Sequence, residues 1–227
     1  MTIDPIELGI RPRMFADRRT AGRDLAQALI HHAGTNAIVL GLPRGGVAVA
    51  EEVARVLGAT LDVWVVRKLG APHQPELGMG AIAEGPAVVL DRSIVRALGV
   101  SRADIFEVAR REMNEVSRRV ERFRQGRAAP DLQGRTVILV DDGIATGGTT
   151  RAAIRAIKKR RPARLVLAVP VASPDVVEAL GREVDEVVCL YEPEPMYAIG
   201  LWYEDFRQVP DEEVARVLAR AARDAAV

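Results

Sequence analysis

The sequence predicts an α/β fold: a mostly parallel, doubly wound sheet of about five strands, with helices on both faces and a small lid or hood. Short aliphatic and β-branched runs at 37–40, 61–66, 137–140, 164–169 and 184–190 alternate with stretches of helical periodicity. That is the pattern of parallel strands joined by helical crossovers. Two of the runs pass directly through a glycine-rich turn into a helix, at 41–46 and 143–149. Such turns at helix N-termini make anion sites from backbone N–H groups. The 227 residues suit one domain, by the usual ~100–200 residues per domain. Its core is expected at about 15–190 and an aromatic hood and helix at about 191–227.

Taken in order, residues 15–33 read as a helix with Asp17 as N-cap and Leu25 and Leu29 on its apolar face. His31 and His32 are adjacent and so point to different faces, which suits a helix end or surface rather than a metal pair. Strand 37–40 runs into Gly41-Leu42-Pro43-Arg44-Gly45-Gly46 and a helix at 47–57. Strand 61–66 follows, with Arg67 and Lys68 at its end. Ligands of parallel sheets gather at the carboxyl ends of strands, and two cations there are placed for a polyanion. Residues 69–80 are rich in Gly and Pro and read as a flexible loop, and 81–84 with 87–90 as a hairpin around Gly85-Pro86.

The longest helical pattern, about 101–125 within an insertion at about 101–127, opens on a capping box of Ser101 and Asp104. Its seam of Phe106, Ala109, Met113, Val116, Val120 and Phe123 has heptad spacing. The seam suits either packing on the core or a homodimer contact.

After strand 137–140 come Asp141 and Asp142, then the small-residue loop Gly143-Ile144-Ala145-Thr146-Gly147-Gly148-Thr149 and a helix over 151–161. The Thr hydroxyls add donors to an anion nest, but two acids before it would repel a bare phosphate. They fit a ligand that carries hydroxyls or a metal beside its phosphate. Gly143 and Gly148 have P-loop spacing, yet Thr149 stands where that motif needs Lys. The basic end of the helix, Lys158-Lys159-Arg160-Arg161, complements the helix dipole. A short helix at 173–181 precedes the last strand, whose Cys189 reads as a buried, inert thiol.

Nine aromatic residues occur in the chain, and Tyr191, Tyr197, Trp202, Tyr203 and Phe206 lie together near its end. Such clustering favours a stacking surface over core packing. A net charge of +1 gives no nucleic-acid or membrane signature. A single cysteine argues against a disulfide framework and for a reducing compartment. With no signal-like or membrane-length apolar run, a cytoplasmic protein is expected.

The stretch VILVDDGIATGGTT resembles the phosphoribosyl-pyrophosphate (PRPP) signature of type I phosphoribosyltransferases: four hydrophobic residues, two acids and an ATGGT-like loop. The resemblance implies that family's α/β fold, with Asp141 and Asp142 facing the ribose hydroxyls. It implies that Ala145, Thr146, Gly147, Gly148 and Thr149 cradle the terminal phosphate. Arg44, Gly45 and Gly46 are similar to the family's pyrophosphate loop, where a non-proline cis peptide, here Pro43–Arg44, aims N–H groups at the ligand. A basic residue after the next strand, Arg67 or Lys68, contacts pyrophosphate in several members. Loop 69–80 corresponds in position to the family's flexible catalytic loop, with His73 and Glu76 as its titratable residues.

The run Gly200-Leu201-Trp202-Tyr203-Glu204-Asp205-Phe206-Arg207 is similar to the base-binding end of hypoxanthine–guanine phosphoribosyltransferases. It departs from them in two ways. Trp202 replaces an Asp that helps hold magnesium there, and the following spacing is one residue shorter. Tyr197 and Trp202 are both candidates to stack on the base. Magnesium is expected mainly on PRPP oxygens and water, with no protein ligand assigned. Ala145 replaces an Asp common in purine-specific members, so the acceptor stays open. The implied activity is magnesium-dependent transfer of the phosphoribosyl group from PRPP to a nitrogenous base in nucleotide salvage. The alternative is a non-catalytic PRPP-binding regulator or accessory protein. No DNA-reading helix-turn-helix or basic N-terminal domain is evident, which favours the enzyme.

Overall fold

In the computed structural model, which describes residues 15–72, 74–85 and 87–224, the Asp17 carboxylate accepts the Thr20 N–H at 2.7 Å and starts helix α1 (Arg18–Ala28). There follow β1 (Ile38–Gly41), α2 (Gly45–Leu57), β2 (Thr60–Val63), β3 (Val66–Ala71), β4 (Gln74–Ala83) and β5 (Ala87–Leu90). The chain continues through α3 (Arg92–Ala97), α4 (Arg102–Arg124), β6 (Thr136–Val140), α5 (Gly148–Lys158), β7 (Arg164–Val171), α6 (Pro174–Gly181), β8 (Glu186–Tyr191) and α7 (Asp211–Asp224).

The main sheet has five strands in the order β2-β1-β6-β7-β8, every neighbouring pair parallel. Alternation along its strands sorts the core into two faces. Ile38, Leu40, Val137, Leu139, Leu165 and Leu167 pack against Ala153, Ile154 and Ile157 of α5. Val39, Ile138, Val140 and Val166 pack against Leu25 of α1 and Val49 and Val53 of α2. Each fully buried Leu, Ile or Val contributes roughly 1.5–3 kcal/mol relative to exposure, so this two-sided burial is what fixes the doubly wound sheet.

Two expectations are corrected here. The apolar run 61–66 is not one core strand. It leaves the main sheet after Val63, crosses at Trp64 and Val65, and begins a second, antiparallel sheet β3-β4-β5 at Val66. Trp64 N–H still bonds to the Gly41 carbonyl at 3.0 Å, while the Val65 carbonyl already accepts Glu84 N–H at 2.9 Å. Arg67 and Lys68 therefore belong to this second sheet, a hood distinct from the aromatic one expected at about 191–227. Residues 69–80 are likewise not an open loop: most of them lie in the β3–β4 hairpin. Its glycines serve close backbone approach, since a Cβ on Gly70 would collide with the Pro75 carbonyl and one on Gly80 with that of Val89.

The hood has its own two-faced packing. Ala81 and Ala83 join the core beside α5, whereas Met79 and Ile82 meet Val116 and Phe123 of α4 and Val214 and Leu218 of α7. The α4 seam is thus covered largely by the chain itself, and Phe106, 71% exposed, is the seam residue left in solvent. Ser101 and Asp104 form the expected capping box. The shorter α3 was not anticipated; Asp91 caps it by accepting from Ser93 and Ile94 N–H. Below the hood, buried Arg124 bonds Asp62 Oδ2 at 3.0 Å, Glu84 Oε1 at 2.8 Å and the Val63 carbonyl at 2.8 Å. This ties α4 to both sheets. Among the described residues, no helix is long and apolar enough to cross a membrane.

Candidate active site

The chain from β1 turns to β2 on one side, and the chain from β6 turns to β7 on the other, so β1 and β6 flank the topological switch point. Ligands of open α/β sheets bind in that crevice, at the carboxyl ends of the strands. In register, Gly41 lies beside Val140, so the turns 42–46 and 141–147 leave the sheet side by side. Leu42 N–H bonds to the Val140 carbonyl at 2.8 Å, and the Pro43–Arg44 peptide is cis. A Cβ on Gly46 would lie 2.8 Å from the Val140 carbonyl oxygen and 2.9 Å from Asp141 Cα. Only glycine lets the first turn close on the acid pair. Gly147, at φ 72°, is the N-cap of α5, a left-handed conformation that glycine adopts without cost. Ala145, Thr146, Gly148 and Thr149 are exposed. Two helix N-termini, from α2 and α5, therefore open beside two carboxylates.

The acid pair is electrostatically uneven. Burial, and then the Asp142 carboxylate beside it, push Asp141 well above the usual carboxylate range. Its Oδ1 accepts Asp142 N–H at 2.9 Å. Asp142 Oδ2 instead receives Arg18 Nε at 2.7 Å. That guanidinium lies 3.8 Å from the Phe206 ring centroid, and its Nη1 donates to the Arg207 carbonyl at 2.9 Å. The Tyr203 hydroxyl donates to the Asp142 carbonyl at 2.5 Å. Burial and the nearby Asp142 charge raise its pKa above the ordinary phenol range, which keeps it a neutral donor. Tyr203 stacks on Phe206 at 4.9 Å and bridges Phe15 in parallel, so the segment before α7 is tied to the first described residue beside the acid pair.

A family model described as phosphoribosyl transferase domain matches residues 16–190. The chain belongs to the phosphoribosyltransferase family. Two provisionally named phosphoribosyl transferases of Mycobacterium tuberculosis, from strains CDC 1551 and H37Rv, are each 48% identical over 212 residues, 93% of this chain. The chain spans 48% of the length of each. A uracil phosphoribosyltransferase of Lactobacillus gasseri is 43% identical over 65 residues, 29% of this chain and 31% of its own. The crystal structure of the Thermus thermophilus protein TT1426 superposes with a TM-score of 0.79 at 45% identity, covering 91% of this chain and 98% of that one.

In this family member the structure brings together Asp141, Asp142, Gly45, Gly46 and the 145–149 loop. Other expected residues are engaged elsewhere. Arg44 Nη1 lies 3.7 Å from Asp211 Oδ1 at the start of α7. Arg67 pairs with Glu112 of α4 at 2.9 Å. Lys68 lies exposed on β3, its stem 3.5 Å from where a Gly78 Cβ would stand. His73 lies outside the described residues, as does the side chain of Glu76, whose backbone is in β4. Tyr197 is 69% exposed, and Trp202 stacks on Tyr191 at 5.9 Å. Nearer the acid pair are Tyr203, which bonds the Asp142 carbonyl, and Phe206, which faces Arg18, neither of them one of the two residues proposed to stack on the base.

Arg18 is the residue that sequence reasoning missed, although a signal was present. It sits in the first turn of α1, where the helix dipole disfavours a cation, so something other than the helix had to hold it there.

The His31–His32 pair sits at a helix end as expected, but its rings do not diverge to different faces. The 3-10 turn Ile30–His32 brings His31 Nε2 to 2.9 Å from Glu186 Oε1 and His32 Nε2 to 3.2 Å from Oε2. Arg164 holds that same Oε2 at 2.8 Å, so this group at the amino edge of the sheet, away from the crevice, is an ion-pair array already supplied with a cation. Cys189 is half-buried rather than fully buried, and desolvation still pushes its thiol up to about 11.

Proposed function

We propose that this chain transfers the phosphoribosyl group of PRPP to a nitrogenous base and releases pyrophosphate. One observation supports this above the others. The acid pair lies between two glycine-built helix N-termini at the switch point of the sheet, which suits a ligand with anions at both ends of a hydroxylated ring. In this reading Thr146–Thr149 N–H and hydroxyl groups take the terminal phosphate, and Asp141 and Asp142 take the ribose hydroxyls. The backbone N–H groups of the turn at 44–46 receive the pyrophosphate, while the Arg44 side chain faces Asp211. The acids orient the ring beneath the developing oxocarbenium charge, and positioning with electrostatics carries the catalysis.

Magnesium would supply further neutralisation of the departing pyrophosphate. Arg18 occupies Asp142 and Trp202 offers no carboxylate, so PRPP oxygens and water would be its main ligands. Of the two rings considered for base stacking, Tyr197 keeps its face open whereas Trp202 is taken by Tyr191. Tyr197 is thus the less engaged of the two, and both remain candidates for the base.

The test is pyrophosphate release from magnesium–PRPP across a panel of purine, pyrimidine and other bases. Turnover with one class names the acceptor. Tight PRPP binding with no turnover on any base would assign a regulator instead. The double variant Asp141→Asn, Asp142→Asn is expected to lose PRPP binding, at least about 100-fold by calorimetry, while its circular dichroism is unchanged. Retained binding would remove the basis of the site.

A further inference from the structure

The cations expected for the pyrophosphate face other partners, Asp211 for Arg44 and Glu112 for Arg67. The guanidinium that does stand at the acid pair is Arg18. Its side chain and that of Asp142 retain only 11% and 14% of their exposure. A Cβ on Gly45 would collide with Asp142 Oδ2 and lie 2.7 Å from Arg18 Nε. The turn at 44–46, the acid and the guanidinium therefore share one contact shell.

We propose that Arg18 is an exchangeable counter-ion that neutralises Asp142 in the empty site and transfers to the pyrophosphate of PRPP when the ribose hydroxyls take Asp142. The inference rests on the PRPP reading above. Three physical points carry it. Arg stays charged under all working conditions, so it cannot simply release Asp142 by losing a proton. An incoming sugar hydroxyl must replace one charged hydrogen bond, and the displaced guanidinium must then find another anion nearby or be left in a half-buried site without one. A pyrophosphate seated on the turn at 44–46, which adjoins Arg18 Nε at Gly45, would be that anion. The Phe206 ring at 3.8 Å and the Arg207 carbonyl at 2.9 Å are independent of Asp142, and they hold the guanidinium within reach while it changes partner. The bidentate fork of Arg also matches phosphate oxygens geometrically.

The experiment is calorimetric titration of wild type, Arg18→Gln and Arg18→Lys with three probes: magnesium–PRPP, magnesium–pyrophosphate and ribose 5-phosphate. Arg18→Gln is expected to weaken the two pyrophosphate-bearing probes at least about tenfold, the size of one charged hydrogen bond. Ribose 5-phosphate should bind as well as before or better, because Asp142 is then free. Arg18→Lys should fall between, keeping the charge but losing the fork; it carries the test if the Gln variant fails to fold.

Equal losses for all three probes would make Arg18 a merely structural partner and overturn the proposal, as would unchanged pyrophosphate binding. Failure of the wild type to bind PRPP would sink the functional reading itself, and it is seen before any variant is made.

Discussion

Two places in this molecule hold the same inventory, one arginine and two carboxylates, wired in opposite ways. Under the hood, Arg124 reaches both Asp62 and Glu84 and a backbone carbonyl as well. Burial pushes both acids up, and the shared guanidinium pulls both back. At the crevice, Arg18 reaches Asp142, and Asp141 is left facing its like-charged neighbour. The first array is saturated and joins elements; the second keeps an acid with which no cationic side chain among the described residues pairs directly. A buried group that remains electrostatically unsettled while the rest of the core is settled marks where a ligand completes the structure.

The comparison breaks most sharply at Arg124. Arg124→Ala leaves two buried carboxylates without their cation and should cost about 3–5 kcal/mol, measured by urea unfolding. A loss below about 1 kcal/mol would mean that the two arrays do not differ as described.

Asp141→Asn works the other way. The folded state raises the Asp141 pKa, so it holds a proton that the unfolded chain releases. The stability from that proton is present below the ordinary carboxylate value and is lost as pH rises through the raised one. The Asn variant should therefore show a flatter dependence of the thermal midpoint on pH above the ordinary carboxylate range. At neutral pH its midpoint should be higher by roughly 2–4 °C, the shift that about 1 kcal/mol brings to a domain of this size. It should also bind PRPP more weakly. A variant less stable than wild type at neutral pH would show that Asp141 is not the strained member of the pair.

Tyr203→Phe should have the smallest effect, about 1 kcal/mol for one neutral hydrogen bond. The expected signature is a modest fall in the unfolding midpoint together with a looser Arg18, read as increased solvent exchange of the Asp142 amide.

What was legible in the sequence follows from how far apart the partners lie. Val140, Asp141, Asp142 and Gly147 occupy one strand, turn and helix start, so a local pattern describes them fully. The same holds for Gly41 through Gly46. The departure of the chain from the main sheet after Val63 left no local trace, because Val63 to Val66 is an unbroken apolar run with no Gly or Pro to mark the crossing. The glycines of 69–80 suggested mobility, whereas Gly70 and Gly80 are small so that backbones can approach. Arg18, Tyr203 and Phe206 come to Asp142 only through packing. Arg18 is separated from Asp142 by 124 positions and from Arg207 by 189, distances at which periodicity and spacing say nothing.

Those separations also set an order of events. The acid pair and both glycine turns exist once residue 150 has been made, but the partners that position Arg18 arrive with residues 203–207. Contacts of such long sequence separation form late, because loop closure must be paid before they reward it. The acid pair thus gains its counter-charge only in the assembled fold, where the parallel bridge between Phe15 and Tyr203 brings residues 203–207 beside Arg18.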